Sequence, residues 1–200
     1  MAATQAGPWV IIIWSVPMIE KVNNEEGAGN IRRFARYSPD LDLFVTLIIK
    51  RDEVISVALS TDEPTRPYGT NHPYIDRLIA HLSTGRDDLR DIPVHLDMSI
   101  FDREVLEALR EIPPGRVMTY GEVAHKIGRP NAARAVGSAC ARNPAPIIIP
   151  CHRVVPASGG LGNYSGGKGP DTKAKLLDRE KALGDLKAVR GRSAKIVEKG

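Results

Sequence analysis

Cysteine is scarce in this chain: of 200 residues only Cys140 and Cys151 carry a thiol. Two cysteines cannot staple a disulfide scaffold, and their scarcity favours a reducing compartment. Clustered metal ligands are lacking too. His72, His81 and His95 stand apart from one another and from both cysteines, which argues against a zinc site and reads them as surface or packing residues. A membrane span is also missing. The apolar run Trp9–Ile19 is too short to cross a bilayer, has no basic residue before it and no small-residue cleavage site after it, and reads as a strand.

What is present is an ordinary globular composition, 42% hydrophobic and 26% charged, long enough to bury a real core. The net charge of +4 hides an asymmetry. Residues 1–100 carry 10 Lys/Arg against 14 Asp/Glu, and residues 101–200 carry 18 against 10, so the halves differ as −4 and +8. A basic half beside an acidic one points to nucleic-acid binding by the C-terminal part, or else to a solvated basic surface.

The first part reads as β-rich. Val10–Ile13, Arg32–Tyr37, Leu43–Lys50 and Val54–Ser60 are strand candidates, with Arg51-Asp52-Glu53 as a hairpin turn. Ile75, Leu78, Ile79 and Leu82 then share one helical face. The acidic run Asp87–Asp91 marks a linker. The expected division is an N-terminal β-rich domain over 1–86, a linker over 87–98, a C-terminal domain over 99–183 and a frayed basic tail over 184–200.

Past the linker, Ser99 opens an amphipathic helix that Pro113-Pro114-Gly115 stops. Thr119 with Glu122 makes a capping box for a second helix, which Gly128 can close in the left-handed conformation. Asn131 is expected to cap a third, Ala132–Cys140, composed almost entirely of alanine, glycine and serine with one long charged side chain, Arg134. Two short helices joined by Gly128–Asn131 form a helix-turn-helix pattern, though a tightly packed helical hairpin has the same signature. The glycine-rich stretch 158–167 lacks the Lys-Ser/Thr ending of a phosphate-binding loop and reads as a wall over a planar ligand around Tyr164.

Ile147-Ile148-Ile149-Pro150-Cys151-His152-Arg153 is the centre of the chain's chemistry. Three β-branched residues predict a buried strand, stopped by proline, that delivers Cys151 to a cleft edge. The adjacent His152 and Arg153 would favour thiolate over thiol. At an unperturbed pKa only roughly 3% of a thiol is ionised at pH 7, so a nucleophile needs such help. The alternative is a cysteine buried for packing.

With these residues in view, the C-terminal half resembles the O6-alkylguanine-DNA alkyltransferases, the direct-reversal DNA repair proteins. The signature Pro-Cys-His-Arg-Val stands here as Pro150–Val154. It is flanked in family order by Phe101 through Ala124, the Asn131–Gly137 helix, Asn143-Pro144, and Gly162–Gly167 through Glu180. The resemblance implies an α+β protein: an N-terminal β-rich, RNase H-like domain, then a mostly helical domain with a helix-turn-helix and a short strand leading to the active-site cysteine.

It implies, further, irreversible and stoichiometric transfer of a methyl or small alkyl group from O6-alkylguanine, with O4-alkylthymine as a second candidate, to Cys151. The thioether product has no polarised carbonyl for water to attack, so the protein is consumed. His152 would take the thiol proton through a water, Glu180 would orient His152, Tyr120 would donate to the departing guanine, and Asn143 would hold the turn before the active strand. Arg134 would enter the base stack when the nucleotide flips out, with Ala133, Gly137, Thr119 and Ser138 against DNA. Tyr164, Ser165, Val154 and Pro146 would line the pocket. No cofactor and no metal are implied; the partner is double-stranded DNA, with no membrane, and the protein is expected to be monomeric and cytoplasmic (nuclear in a eukaryote). Lys168–Asp171 lengthens the loop between Tyr164 and Glu180 beyond the family pattern. Two readings of other classes remain: a non-catalytic alkylated-DNA recognition protein, against which Cys151 itself argues, and a helix-turn-helix regulator, which leaves Cys-His…Glu unexplained.

Overall fold

Alternating apolar residues in three consecutive segments build an antiparallel meander, β1 (Ile31–Ser38), β2 (Leu43–Lys50) and β3 (Glu53–Ser60), in the order β1-β2-β3. The structure, a computed structural model, describes residues 31–65 and 68–189. The predicted strand Val10–Ile13 and the tail beyond residue 189 lie outside them.

The β2–β3 turn is the tight one the sequence predicts. Arg51 and Asp52 both have positive φ, 50° and 65°, as a two-residue turn matched to the strand twist requires. Each outer edge of the sheet is met by a passing segment. Gly69 bridges to Phe34 beside β1. Beside β3, Val54 donates to Pro93 O and Val57 to Pro144 O, each at 2.9 Å. These contacts occupy part of each edge, and the bond to Pro144 ties the sheet to the loop that precedes Cys151.

Helix α1 (Pro73–Thr84) packs Ile75, Leu78 and Leu82 onto the sheet. It ends at Gly85, in the left-handed conformation (φ 66°), where a Cβ would stand 2.2 Å from Arg179 O. Helix α2 (Ile100–Arg110) is capped by Ser99, whose side chain accepts from Asp102 N. A two-residue strand β4 (Met118–Thr119) leads into α3 (Tyr120–Lys126) through the predicted capping box, with both of its hydrogen bonds formed. Helix α4 (Ala133–Ala141) packs on α2 and α3. Asn131 does not cap it: the N-cap position is Ala132, with no side-chain bond, because residues 129–132 turn once more (Ala132 N to Arg129 O, 2.9 Å) before the helix begins. Strand β5 (Val154–Val155) pairs in parallel with β4, and α5 (Pro170–Arg179) follows.

Two further expectations are corrected. Ile147–Ile149 is not a strand. All three residues are buried, but Ile149 N returns to Ala145 O at 2.9 Å, so the backbone closes on itself in a tight loop rather than pairing with a neighbour. A short apolar run does not distinguish these outcomes by periodicity. The strand follows the cysteine, as β5, instead of leading to it. The start of the tail is not frayed either. Residues 183–189 are helical, and Leu186 and Val189 are buried against Val117, Val155 and Leu177.

The buried residues of the sheet, α1 to α5 and the Cys151 loop form one continuous cluster. The three-stranded meander does not establish the RNase H-like label. Among the described residues no helix is long and apolar enough to cross a membrane.

Gly85→Ala should lower the unfolding free energy by at least about 2 kcal/mol, since it adds left-handed strain to a backbone collision. Urea denaturation measures this, and an unchanged midpoint would contradict the tight α1–α5 seam.

Candidate active site

The loop that presents Cys151 is wound around Asn143. Its Oδ1 accepts from Ala145 N at 3.0 Å and its Nδ2 donates to Ile149 O at 2.8 Å, so one side chain brackets the loop from inside. Ile147 is held at φ 78°, a conformation costly for a β-branched residue and therefore sustained by the surrounding packing. Cys151, His152 and Arg153 then form a single 3-10 turn, all three buried.

That turn sends the two basic side chains away from the sulfur. His152 Nε2 lies 2.9 Å from Glu180 Oε1. The Arg153 guanidinium grips both oxygens of Glu180, at 2.7 and 2.9 Å, and donates to Ile112 O at 2.5 Å. The expectation that these two basic side chains favour thiolate over thiol is therefore corrected. Burial pushes the Cys151 thiol up, opposed by a hydrogen bond from Asn143 and by the charge of Lys173. The resting group is a thiol.

Glu180 terminates α5 and is almost fully buried. Burial alone would neutralise it, but His152, His81 and Arg153 together hold its carboxyl well below the usual carboxylate range. An ionised carboxylate can only accept, so His152 carries its proton on Nε2. Its Nδ1 is then the basic nitrogen, and no described protein group bonds it. Burial lowers the His152 pKa, with Glu180 opposing; the charge of Glu180 is already balanced by Arg153.

Two members of this cluster were not singled out in the sequence. Lys173 is buried, donates to Val154 O at 2.6 Å, and is lowered to about 8 by burial, with the two cysteines opposing. Its signal was its place in the stripe Lys173, Leu176, Leu177, Glu180, a charge on the inward face of a helix. His81, read as a surface or packing histidine, is buried in the apolar stripe of α1 and lies 3.1 Å from Glu180 Oε1. His72 instead caps α1, and His95 is exposed beside Glu53.

The other predicted residues fall in two groups. Around the cysteine, the half-buried Tyr120 opens α3, and burial pushes its pKa up to about 12, so its hydroxyl keeps its proton. The Tyr164 hydroxyl is buried without a described partner, Val154 is buried, and Pro146 and Ser165 lie nearer the surface. Lys168, in the lengthened loop, pairs with Asp42 at 2.7 Å, and Gly167 N donates to Leu59 O at 3.3 Å, so the sheet braces this wall. On the outer face of α4, Arg134 and Ser138 are exposed; Ala133 is half-buried, as is Gly137, where a Cβ would stand 3.7 Å from the Tyr120 ring. Thr119 does not join that face: it is buried, with its hydroxyl occupied as the α3 cap. Cys140, on the inner side of α4, has its thiol pushed up to about 12 by burial.

Comparison with known proteins agrees with this geometry. Residues 100–182 match the family described as 6-O-methylguanine DNA methyltransferase, DNA binding domain. The methylated-DNA–protein-cysteine methyltransferase of Mycobacterium tuberculosis is 41% identical over 133 residues, covering 63% of this chain and 79% of the relative. The chain belongs to the methylated-DNA–protein-cysteine methyltransferase family. The bifunctional transcriptional activator/DNA repair enzyme Ada of Escherichia coli is 44% identical over 107 residues, 54% of this chain and 29% of that protein. Among solved structures, Mycobacterium tuberculosis OGT in complex with DNA superposes with a TM-score of 0.63 at 34% identity, covering 76% of this chain and 94% of that one. The α+β architecture is thus that of its family.

The lowered His152 pKa makes the site sensitive to acid. The unfolded chain takes up a proton below about pH 6.5 that the folded site resists, so this site loses stability as pH falls from there. A nitrogen-detected NMR titration should give His152 a midpoint below that of a histidine in the unfolded chain; a midpoint at or above it would contradict the burial argument.

Proposed function

We propose that this chain repairs DNA by direct reversal, moving one methyl or small alkyl group from O6-alkylguanine onto Cys151 and ending its working life as a thioether. The observation that carries this reading is one buried turn that bears both Cys151 and His152, with His152 held by an ionised Glu180, in a chain of this family. The thiol loses its proton to His152 Nδ1 through a bridging water as the sulfur attacks the alkyl carbon, and the C–O6 bond breaks. The resulting imidazolium is stabilised by Glu180. Asn143 and Lys173 favour the thiolate as it forms.

Tyr120, whose hydroxyl keeps its proton, donates a hydrogen bond to the departing purine and stabilises its negative charge until solvent supplies a proton. Ser165 stands near O6, while Tyr164, Val154 and Pro146 shape the pocket. The outer face of α4 enters the minor groove, where its small residues permit close approach, and Arg134 fills the stack as the nucleotide leaves it. Ala133, Gly137 and Ser138 border that contact, and Thr119 acts through the α3 cap. Alkylated double-stranded DNA is the partner, and O4-alkylthymine is a second substrate candidate. A monomer in the reducing cytoplasm belongs to the same reading, as does the division into parts at residues 87–98. Binding loses strength with salt, since phosphate neutralisation releases counterions.

With protein limiting and a duplex carrying one O6-methylguanine in excess, repaired lesions should equal the protein added and then stop. Continued turnover would indicate a hydrolase, and binding without repair a recognition protein. Arg134→Ala should slow transfer from duplex DNA about tenfold, part of a flipping cost of a few kcal/mol. The free O6-methylguanine base, which needs no flipping, should react with that variant as with wild type. Equal slowing on both substrates would remove Arg134 from the flipping step.

A further inference from the structure

His81 occupies an expensive position. It sits in the apolar stripe of α1 with Ile75, Leu78 and Leu82, is 1% exposed, and leaves its Nδ1 buried without a described partner. A leucine would fill the same stripe without a polar atom to satisfy, and an unbonded buried polar group is costly. Packing alone therefore does not account for a histidine here. Its other nitrogen does something specific: Nε2 lies 3.1 Å from Oε1 of Glu180, the oxygen that also accepts from His152 Nε2 at 2.9 Å.

We propose that His81 is a positioning residue for alkyl transfer, a second imidazole that pins the Glu180 carboxylate so that Glu180 can hold His152. The proposal rests on the reading of Cys151 and His152 given above. Without His81, Oε1 would be fixed only by His152 and by Arg153 at 2.7 Å, and Oε2 by Arg153 at 2.9 Å. Those donors come from one turn of chain. His81 comes from α1, whose end is fixed by Gly85 against Arg179, so the carboxylate is also held from a separate element.

A pinned Oε1 keeps the His152 proton on Nε2 and leaves Nδ1 as the proton acceptor. The charged or titratable groups around His81 are Glu180, His152 and Arg153 on one side and Asp87 on the other. Asp87 is held by the Arg77 guanidinium through two bonds of 2.8 Å. The N-terminal part of the fold thereby contributes a side chain to the chemistry.

The test compares full-length wild type, His81→Leu, which removes the N–H, and His81→Gln, whose amide can restore it. His81→Met repeats the apolar comparison should the leucine variant fail to fold. The readouts are the rate of methyl transfer to Cys151 from a duplex carrying O6-methylguanine, affinity for unmodified duplex, and the nitrogen NMR signature of the His152 tautomer. His81→Leu should slow transfer by about tenfold to a hundredfold, as loss of an orienting partner does. DNA affinity should stay unchanged and the His152 tautomers should become mixed. His81→Gln should recover most of the rate and the single Nε2–H tautomer.

Wild-type transfer in the apolar variant with its His152 tautomer unchanged would overturn the proposal, as would a glutamine variant no better than leucine. An inert wild type would instead sink the alkyl-transfer reading, and the tautomer comparison would still decide the role of His81.

Discussion

A single buried carboxylate organises this molecule. Glu180 is 5% exposed, and a lone ionised carboxyl there would be too costly to keep charged. It stays ionised because Arg153 grips both of its oxygens and two imidazoles donate to one of them. Each donor arrives from a defined place: His81 from α1, and His152 and Arg153 from the turn that also carries Cys151. Removing the carboxylate would leave a buried guanidinium unpaired, so the cluster is as much a constraint on folding as a piece of chemistry.

The rest of the fold makes that convergence possible. The meander covers α1, the edge of β3 holds Pro144, and Asn143 winds the loop that delivers the cysteine. β5 leaves the cysteine turn to pair with β4, which runs directly into Tyr120 and α3. The reactive sulfur, the hydroxyl that keeps its proton and the exposed face of α4 are therefore positioned by one continuous core. Burial acts on both groups in the same sense, pushing the Cys151 thiol up and His152 down, which favours the uncharged form of each.

Much of this was legible in the residues. β2 runs over Leu43–Lys50 as its alternation predicted, and the Thr119–Glu122 box caps α3 as spacing alone implied, because local hydrogen bonding and face periodicity decide such elements. Pro150–Val154 and Glu180 were legible because their pattern is specific to a family. Long-range pairing was not. Ile147–Ile149 reads as a strand, yet Asn143 closes that loop from four residues upstream of Ile147, and no periodicity reports a side chain's bonds to the backbone. His81 and Glu180 are separated by 99 positions, and Lys173 looks like any lysine until its helix is docked. Both, however, sit on apolar stripes, and a polar residue on an inward face was the available warning.

In the proposed reaction Cys151, and not Cys140, receives the alkyl group. Trypsin separates the two, since Arg134, Arg142 and Arg153 place Cys140 in residues 135–142 and Cys151 in residues 143–153. Peptide mass mapping after reaction with an O6-methylguanine duplex should find one methyl on the 143–153 peptide and none on the other. A methyl on the 135–142 peptide, or DNA bound with neither peptide changed, would contradict the role assigned to the Cys151–His152–Glu180 cluster.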